Sequence, residues 1–262
     1  MPIGPARMPL LDHLGELRRR ITIILVCLLI AVFALYLVAP QMTDFLLQPA
    51  KKYLPNDGAV YVTTSLGGFS NKFYVSMFCS FIVCSPIIFW EILAFFLPAL
   101  KPNERKYVLP TFGIAVLLFV IGIVFGYCYC LGAAFNWLTS EGASIGVVLP
   151  DATDYLKFTM TLLVAFGVAF ELPLVVFYLI LFNIVPYKKM RHNWRYIYTG
   201  LLVLSAVVTP DASPITLGFM FAAMVALYEI SLICARVALR RKIQRNAEKE
   251  AEEEAYLRGE KQ

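Results

Sequence analysis

Long apolar runs alternate with short polar segments along this chain, and the length of each run fixes what it can do. Runs of about 20 apolar residues suffice for a helix to cross the hydrocarbon core of a bilayer. Such runs fall at 21–39, 73–97, 107–131, 154–182 and 215–235, with a shorter one at 194–208. The pattern predicts an all-α polytopic membrane protein with six transmembrane helices over 1–235, followed by a charged tail over 236–262 that is expected to be disordered and cytoplasmic. Ahead of the first run, Leu10, Leu11, Leu14, Leu17 and Ile21 recur at helical spacing, with Asp12, Glu16 and Arg19 away from that stripe. This predicts an interfacial helix whose Arg18, Arg19 and Arg20 stop short of the first span.

The segments between the runs differ in kind. Pro40 is expected to end the first span. The stretch 41–68 contains Pro49, Pro55, Gly58, Gly67 and Gly68, is too polar to cross, and predicts an ordered outer cap. Pro86 is a candidate bend in the second span. Between the second and third spans, Pro98 and Pro102 each lack an N–H and force a turn; Asn103 can cap the next helix, and Glu104 then sits where the macrodipole favours an anion. The stretch 132–153 has no Lys or Arg, which predicts an external segment. Residues 209–214 alone join the last two runs.

Composition agrees with the pattern. The 262 residues are 60% hydrophobic and 16% charged, with mean hydropathy +0.71, whereas soluble domains carry about 25% charged residues. The six cysteines lie in apolar runs without metal-ligand spacing and read as small hydrophobes. Lys and Arg cluster at the amino terminus, at 98–106, at 183–195 and in the tail, so the positive-inside rule places both termini and the Pro98 loop in the cytoplasm. No early basic region with a short apolar core and cleavage site is present, so the first run is expected to be retained as a span.

Among candidate functional groups, Glu171 stands near the middle of the fourth run, where a carboxylate costs on the order of 2.5 to 3.5 kcal/mol. An acid there faces a cavity, a proton path or a basic partner; a silent structural pair is the alternative. Glu91 and Glu229 lie nearer the cytoplasmic ends, where snorkelling or pairing with Arg236 accounts for them. His13 and His192 belong to no zinc-protease pattern, and no nucleophile elbow or phosphate-binding loop occurs, so no enzyme, cofactor, metal or nucleic-acid partner is expected. Tyr61, Trp137, Trp194 and Tyr196 suit interfacial anchors.

Three ordered motifs, HLGELRRR at 13–20, FFLPALKPNER at 95–105 and AFGVAFELP at 165–173, together resemble the TatC family, the multispanning core of twin-arginine protein translocases. The resemblance covers essentially all six spans. It implies a glove-shaped receptor for twin-arginine signal peptides of folded cargo, driven by the proton-motive force. It also implies single-span TatA-type and TatB-type partners, self-association in a receptor complex, contact with membrane lipid, and a prokaryotic plasma-membrane location. Matched residue by residue, it assigns signal-peptide binding to Glu16, Arg18, Phe95, Pro98, Glu104 and Arg105, an intramembrane polar site to Glu171, and outer-face positions to Pro49, Lys72, Asp151 and Tyr155. Two departures stand out. Ala99 occupies a place often held by glycine, and TPDASP at 209–214 departs from the usual TP-x-x-D pattern, with Asp211 as its only acid to match the family's external one. The competing class is a proton-coupled secondary transporter using Glu171; the paired broken helices of repeated halves that mark many transporters are not visible in the sequence. A structural scaffold would leave the loop acid without a purpose.

Overall fold

One continuous helix, α1 (Leu10–Tyr36, 27 residues), carries both the amino-terminal stripe and the first apolar run. The computed structural model describes residues 10–54, 60–96, 108–146, 150–182, 184–211, 213–240 and 244. The expected separation between an interfacial helix and a first span is therefore absent. Nothing between Arg20 and Ile21 breaks the backbone ladder, so the arginines ride on the same rod as the span. Pro40 also acts differently from expectation. α1 ends at Tyr36, and Pro40 lies in the first turn of α2 (Ala39–Lys51), where a missing N–H costs nothing. Helix α2 is amphipathic and buries Ala39, Leu46, Leu47 and Ala50.

Helix α3 (Gly67–Phe96) is 30 residues long, and α1 packs along it. Three buried or partly buried hydroxyls inside the spans are satisfied on their own helices, where no water competes. Ser76 donates to Lys72 O at 2.6 Å, Ser80 to Ser76 O at 2.6 Å and Ser205 to Leu201 O at 2.7 Å. Helix α4 (Thr111–Phe125) passes through a π-helical turn at Gly126–Cys130 into α5 (Leu131–Ile145). The helical column thus runs on well into the stretch 132–153.

The fourth apolar run is divided. Helix α6 (Ala152–Ala169) and helix α7 (Leu172–Leu181) meet at Phe170–Glu171. Pro173 supplies the cause, because it has no N–H to bond Ala169 O. The backbone tightens instead, with Glu171 N donating to Val168 O at 3.0 Å and Leu174 N to Glu171 O at 3.0 Å. A short helix α8 (Tyr187–His192) precedes α9 (Trp194–Val208) and α10 (Pro214–Ala238).

Among the described residues, five segments are long and apolar enough to cross a membrane: Leu14–Tyr36, Gly67–Phe95, Thr111–Ile145, Ala152–Leu181 and Pro214–Ala238. With its 15 residues, α9 reaches about 22 Å and is the short sixth member. Among the described residues the only β-pairing is an isolated parallel bridge between Tyr61 and Asp151. The core gathers Phe119 of α4, Leu162, Leu163 and Phe166 of α6, and Met220, Tyr228 and Leu232 of α10, all fully or almost fully buried.

Glycines let α4 and α6 approach closely. A Cβ at Gly122 would stand 2.6 Å from Phe166 O, and one at Gly167 would stand 2.7 Å from Phe119 Cε2. Gly122 and Gly126 follow the small-xxx-small spacing of tight membrane-helix crossings. That crossing holds the α6–α7 break, and Glu171 with it, close to α4.

Candidate functional site

Near the start of α1 and the end of α3, the two helices are tied by one guanidinium between two acids. Arg20 Nε and Nη2 donate to Glu16 Oε1 at 3.1 and 2.5 Å, and Arg20 Nη1 donates to Glu91 Oε2 at 2.9 Å. Glu16 and Arg20 sit one turn apart on α1, the spacing at which opposite charges meet. Glu91 lies 71 residues away in sequence. All three side chains are mostly buried, with 21%, 22% and 13% exposure for Arg20, Glu16 and Glu91. They border an open cavity of about 250 Å³ together with Arg19 and Ile23. Arg18 is exposed on α1, and Phe95 is half-buried in the last turn of α3. Pro98, Glu104 and Arg105, with the proposed Asn103 cap, lie outside the described residues.

The expectation that Glu91 and Glu229 snorkel or pair with Arg236 is corrected. Glu91 pairs with Arg20, while Glu229 accepts from Arg191 Nη1 at 2.7 Å and from Tyr198 Oη at 2.7 Å. Antiparallel packing brings residues far apart in sequence to the same depth, so closer partners than Arg236 are available to both acids. The Arg191–Glu229 pair joins α8 to α10, and Tyr228 Oη adds a second link by donating to Met190 O at 3.1 Å.

In the middle of the bundle, Glu171 occupies the junction of α6 and α7, and its Oε1 is buried without a hydrogen-bond partner among the described residues. About two turns further along α7, Tyr178 pairs with Thr111 of α4, and the Thr111 hydroxyl also donates to Val108 O at 2.6 Å. A silent ion pair at Glu171 is therefore not present among the described residues. A buried carboxylate oxygen lacking a donor is costly and marks a place where a further group can bind.

Of the positions expected on the outer face, Asp151 and Tyr155 lie at the start of α6. Asp151 caps that helix through Oδ1, which accepts from Thr153 N at 2.7 Å and Asp154 N at 3.3 Å. Its Oδ2 accepts from Thr63 N at 3.3 Å and from the Thr63 hydroxyl. Tyr61 N donates to Pro150 O at 2.9 Å, and Ala152 N to Tyr61 O at 2.8 Å, completing a clip between the outer segment and α6. These bonds hold the Asp151 carboxyl down at about 2, the Thr63 hydroxyl being the largest cause. Tyr155 stacks on Phe135 with centroids 5.1 Å apart, Pro49 lies half-buried inside α2, and Lys72 is exposed near the start of α3. Asp211 accepts from Thr216 Oγ1 at 2.6 Å through Oδ1, while its Oδ2 is buried without a partner among the described residues. Asp211 thus serves the first turn of α10, beside the Ser213 cap that accepts from Thr216 N at 3.2 Å.

Sequence reasoning missed Arg20, Glu91 and Thr63. Only Arg20 left a local signal, its four-residue offset from Glu16.

The chain is similar to known proteins. The family described as "Sec-independent protein translocase protein (TatC)" matches residues 12–223. A Sec-independent protein translocase protein TatC of Deinococcus radiodurans is 34% identical over 235 residues, covering 88% of this chain and 87% of its own. That of Carboxydothermus hydrogenoformans is 32% identical over 229 residues, covering 87% of this chain and 93% of its own. A crystal structure of the twin-arginine translocase receptor TatC superposes with a TM-score of 0.72 at 27% identity, covering 86% of this chain and 99% of that one. The matched span runs from the first turn of α1 through α9 into the first ten residues of α10, and takes in both acids of the Arg20 cluster, the Glu171 break and the Asp151 clip. The chain therefore belongs to the TatC family of Sec-independent protein translocase proteins.

Proposed function

We propose that the chain is the signal-peptide receptor and membrane core of a twin-arginine translocase, exporting folded proteins with energy from the proton-motive force. Membership of the TatC family supports the translocase role. The observation that carries the receptor reading is the Glu16–Arg20 contact, in which two N–H groups of one guanidinium converge on a half-buried carboxylate at the cytoplasmic end. A site that already holds a guanidinium is chemically suited to receive another.

In this reading Glu16 and Glu104 accept the paired arginines of the signal peptide, each through parallel N–H donors that a lysine ammonium cannot reproduce. The same reading gives Arg18, Phe95, Pro98 and Arg105 to the signal-peptide site. Glu171 receives a polar group of a TatA-type or TatB-type helix or of the inserting peptide, because its buried oxygen has capacity for a donor. Pro49, Lys72, Asp151, Tyr155 and Asp211 keep the outer cap in register. Copies associate in a receptor complex in the prokaryotic plasma membrane, surrounded by lipid, and residues 236–262 form a cytoplasmic tail.

Titration of detergent-purified protein with a labelled twin-arginine peptide and its twin-lysine counterpart tests the reading. Twin-arginine binding is expected to be the tighter. Glu104→Ala is expected to weaken it on the order of 10- to 100-fold while sparing thermal stability. Equal affinity for the two peptides overturns the receptor role, and an unchanged dissociation constant in Glu104→Ala removes Glu104 from the site.

A further inference from the structure

We propose that Arg20 is a built-in latch on the signal-peptide site and that Glu91 is the carboxylate to which the latch retires, making both positioning residues for peptide capture. The proposal rests on the reading that Glu16 receives a signal-peptide arginine. Glu16 is not vacant, since Arg20 Nε and Nη2 both donate to its Oε1. An incoming guanidinium that grips Glu16 through both carboxylate oxygens displaces them from Oε1. The exchange replaces one guanidinium by another at the same oxygen, so the hydrogen bonds lost and gained are of one kind.

What governs the exchange is where Arg20 goes. Its third donor, Nη1, already holds Glu91 Oε2 at 2.9 Å on the facing helix. When Glu16 is taken by the peptide, Arg20 remains paired, and no mostly buried cation is left alone at the membrane edge. The cavity beside the cluster, bordered by Arg19, Ile23 and the three charged side chains, is the space through which a guanidinium reaches Glu16. A receptor whose competent state is only partly populated binds every ligand more weakly by that fraction. The latch therefore lowers the affinity of all peptides by one factor and leaves the ratio between arginine and lysine peptides alone.

Two signs separate this device from a merely structural brace between α1 and α3. Arg20→Gln is expected to tighten binding of twin-arginine and twin-lysine peptides by the same factor, on the order of 10-fold. Glu91→Gln acts oppositely, because Arg20 then has no second partner and clings to Glu16, so both peptides bind more weakly. In the Arg20→Gln background, Glu91→Gln is expected to have no further effect on affinity, a non-additivity that a double-mutant cycle measures. Full-length protein in detergent is titrated with both peptides, and thermal unfolding is followed on the same samples. Arg20→Lys, which keeps the charge with fewer donors, is a milder variant expected to give a smaller gain should Arg20→Gln unfold. Unchanged or weaker peptide binding by a folded Arg20 variant overturns the proposal, as does a loss of affinity on Glu91→Gln in the Arg20→Gln background, which would make Glu91 a direct peptide contact. If wild type fails to prefer the arginine peptide, the receptor reading fails instead; a preference without tightening defeats the latch alone.

Discussion

Asp151 and Thr63, 88 residues apart in sequence, are joined by two hydrogen bonds to a single oxygen: Asp151 Oδ2 accepts from the Thr63 backbone N–H and from its hydroxyl. The other carboxylate oxygen caps α6. One side chain thus starts a membrane helix and fastens the outer segment to it. Asp151→Ala is expected to cost about 0.5 to 2 kcal/mol from the lost cap, with further loosening of the 61–63 segment. Thermal unfolding in detergent measures the first effect and amide hydrogen exchange at Thr63 the second.

The same carboxyl predicts an acid dependence. Its pKa is lowered from 3.8 to about 2 in the folded protein, chiefly by the Thr63 hydroxyl. A lowered pKa means that the ionised form stabilises the fold. That contribution is complete above the unfolded value and disappears as the pH falls through the folded one. The stability difference between wild type and Asp151→Asn is therefore expected to be constant from pH 7 to about 5 and to shrink below about 4. Urea titrations at several pH values measure it, and a difference independent of pH down to 2 would contradict the assignment.

Close approach of α4 and α6 predicts steric sensitivity at two glycines. Gly122→Ala and Gly167→Ala introduce a Cβ 2.6 Å from Phe166 O and 2.7 Å from Phe119 Cε2 respectively. Each is expected to destabilise by about 1 to 3 kcal/mol through overpacking. A Cβ at Gly218 meets nothing within 4 Å, so Gly218→Ala is the control and should leave the melting temperature unchanged or slightly raised.

For Glu171 the expected outcome is a separation of folding from function. Glu171→Gln removes a charge from a buried position without breaking a hydrogen bond of its side chain among the described residues. Stability should not fall. Export of a twin-arginine reporter should fall, and photo-crosslinks from position 171 to peptide or partner helix should identify the bound group. Crosslinks to lipid alone would remove Glu171 from any binding role.

Sidedness follows from the distribution of Lys and Arg. Cysteines introduced into a cysteine-free background at positions 1, 98–106, 188 and 262 should label from the cytoplasm, and those at 57, 141 and 211 from outside. Labelling of position 141 only from the cytoplasm would invert the topology.

What the sequence determined by itself was whatever depends on short stretches of chain. Span number and all-helical class follow from run length and apolarity, because a backbone in hydrocarbon has to satisfy its polar groups within each segment. The three motifs carried the family. The shortness of α9 was equally legible. Pro40 and Pro173 were visible, but their effects depended on the register of neighbouring turns. Pro40 opened α2, and Pro173 split the fourth run beside Glu171. Tertiary structure alone decided the partners of Arg20, Asp151 and Glu229, whose contacts span 71, 88 and 38 residues. Such pairs depend on which helices pack and at what depth their charges meet. That choice is made by side-chain volume at crossings such as Gly122 with Phe166, and no local pattern of apolar and polar positions encodes it.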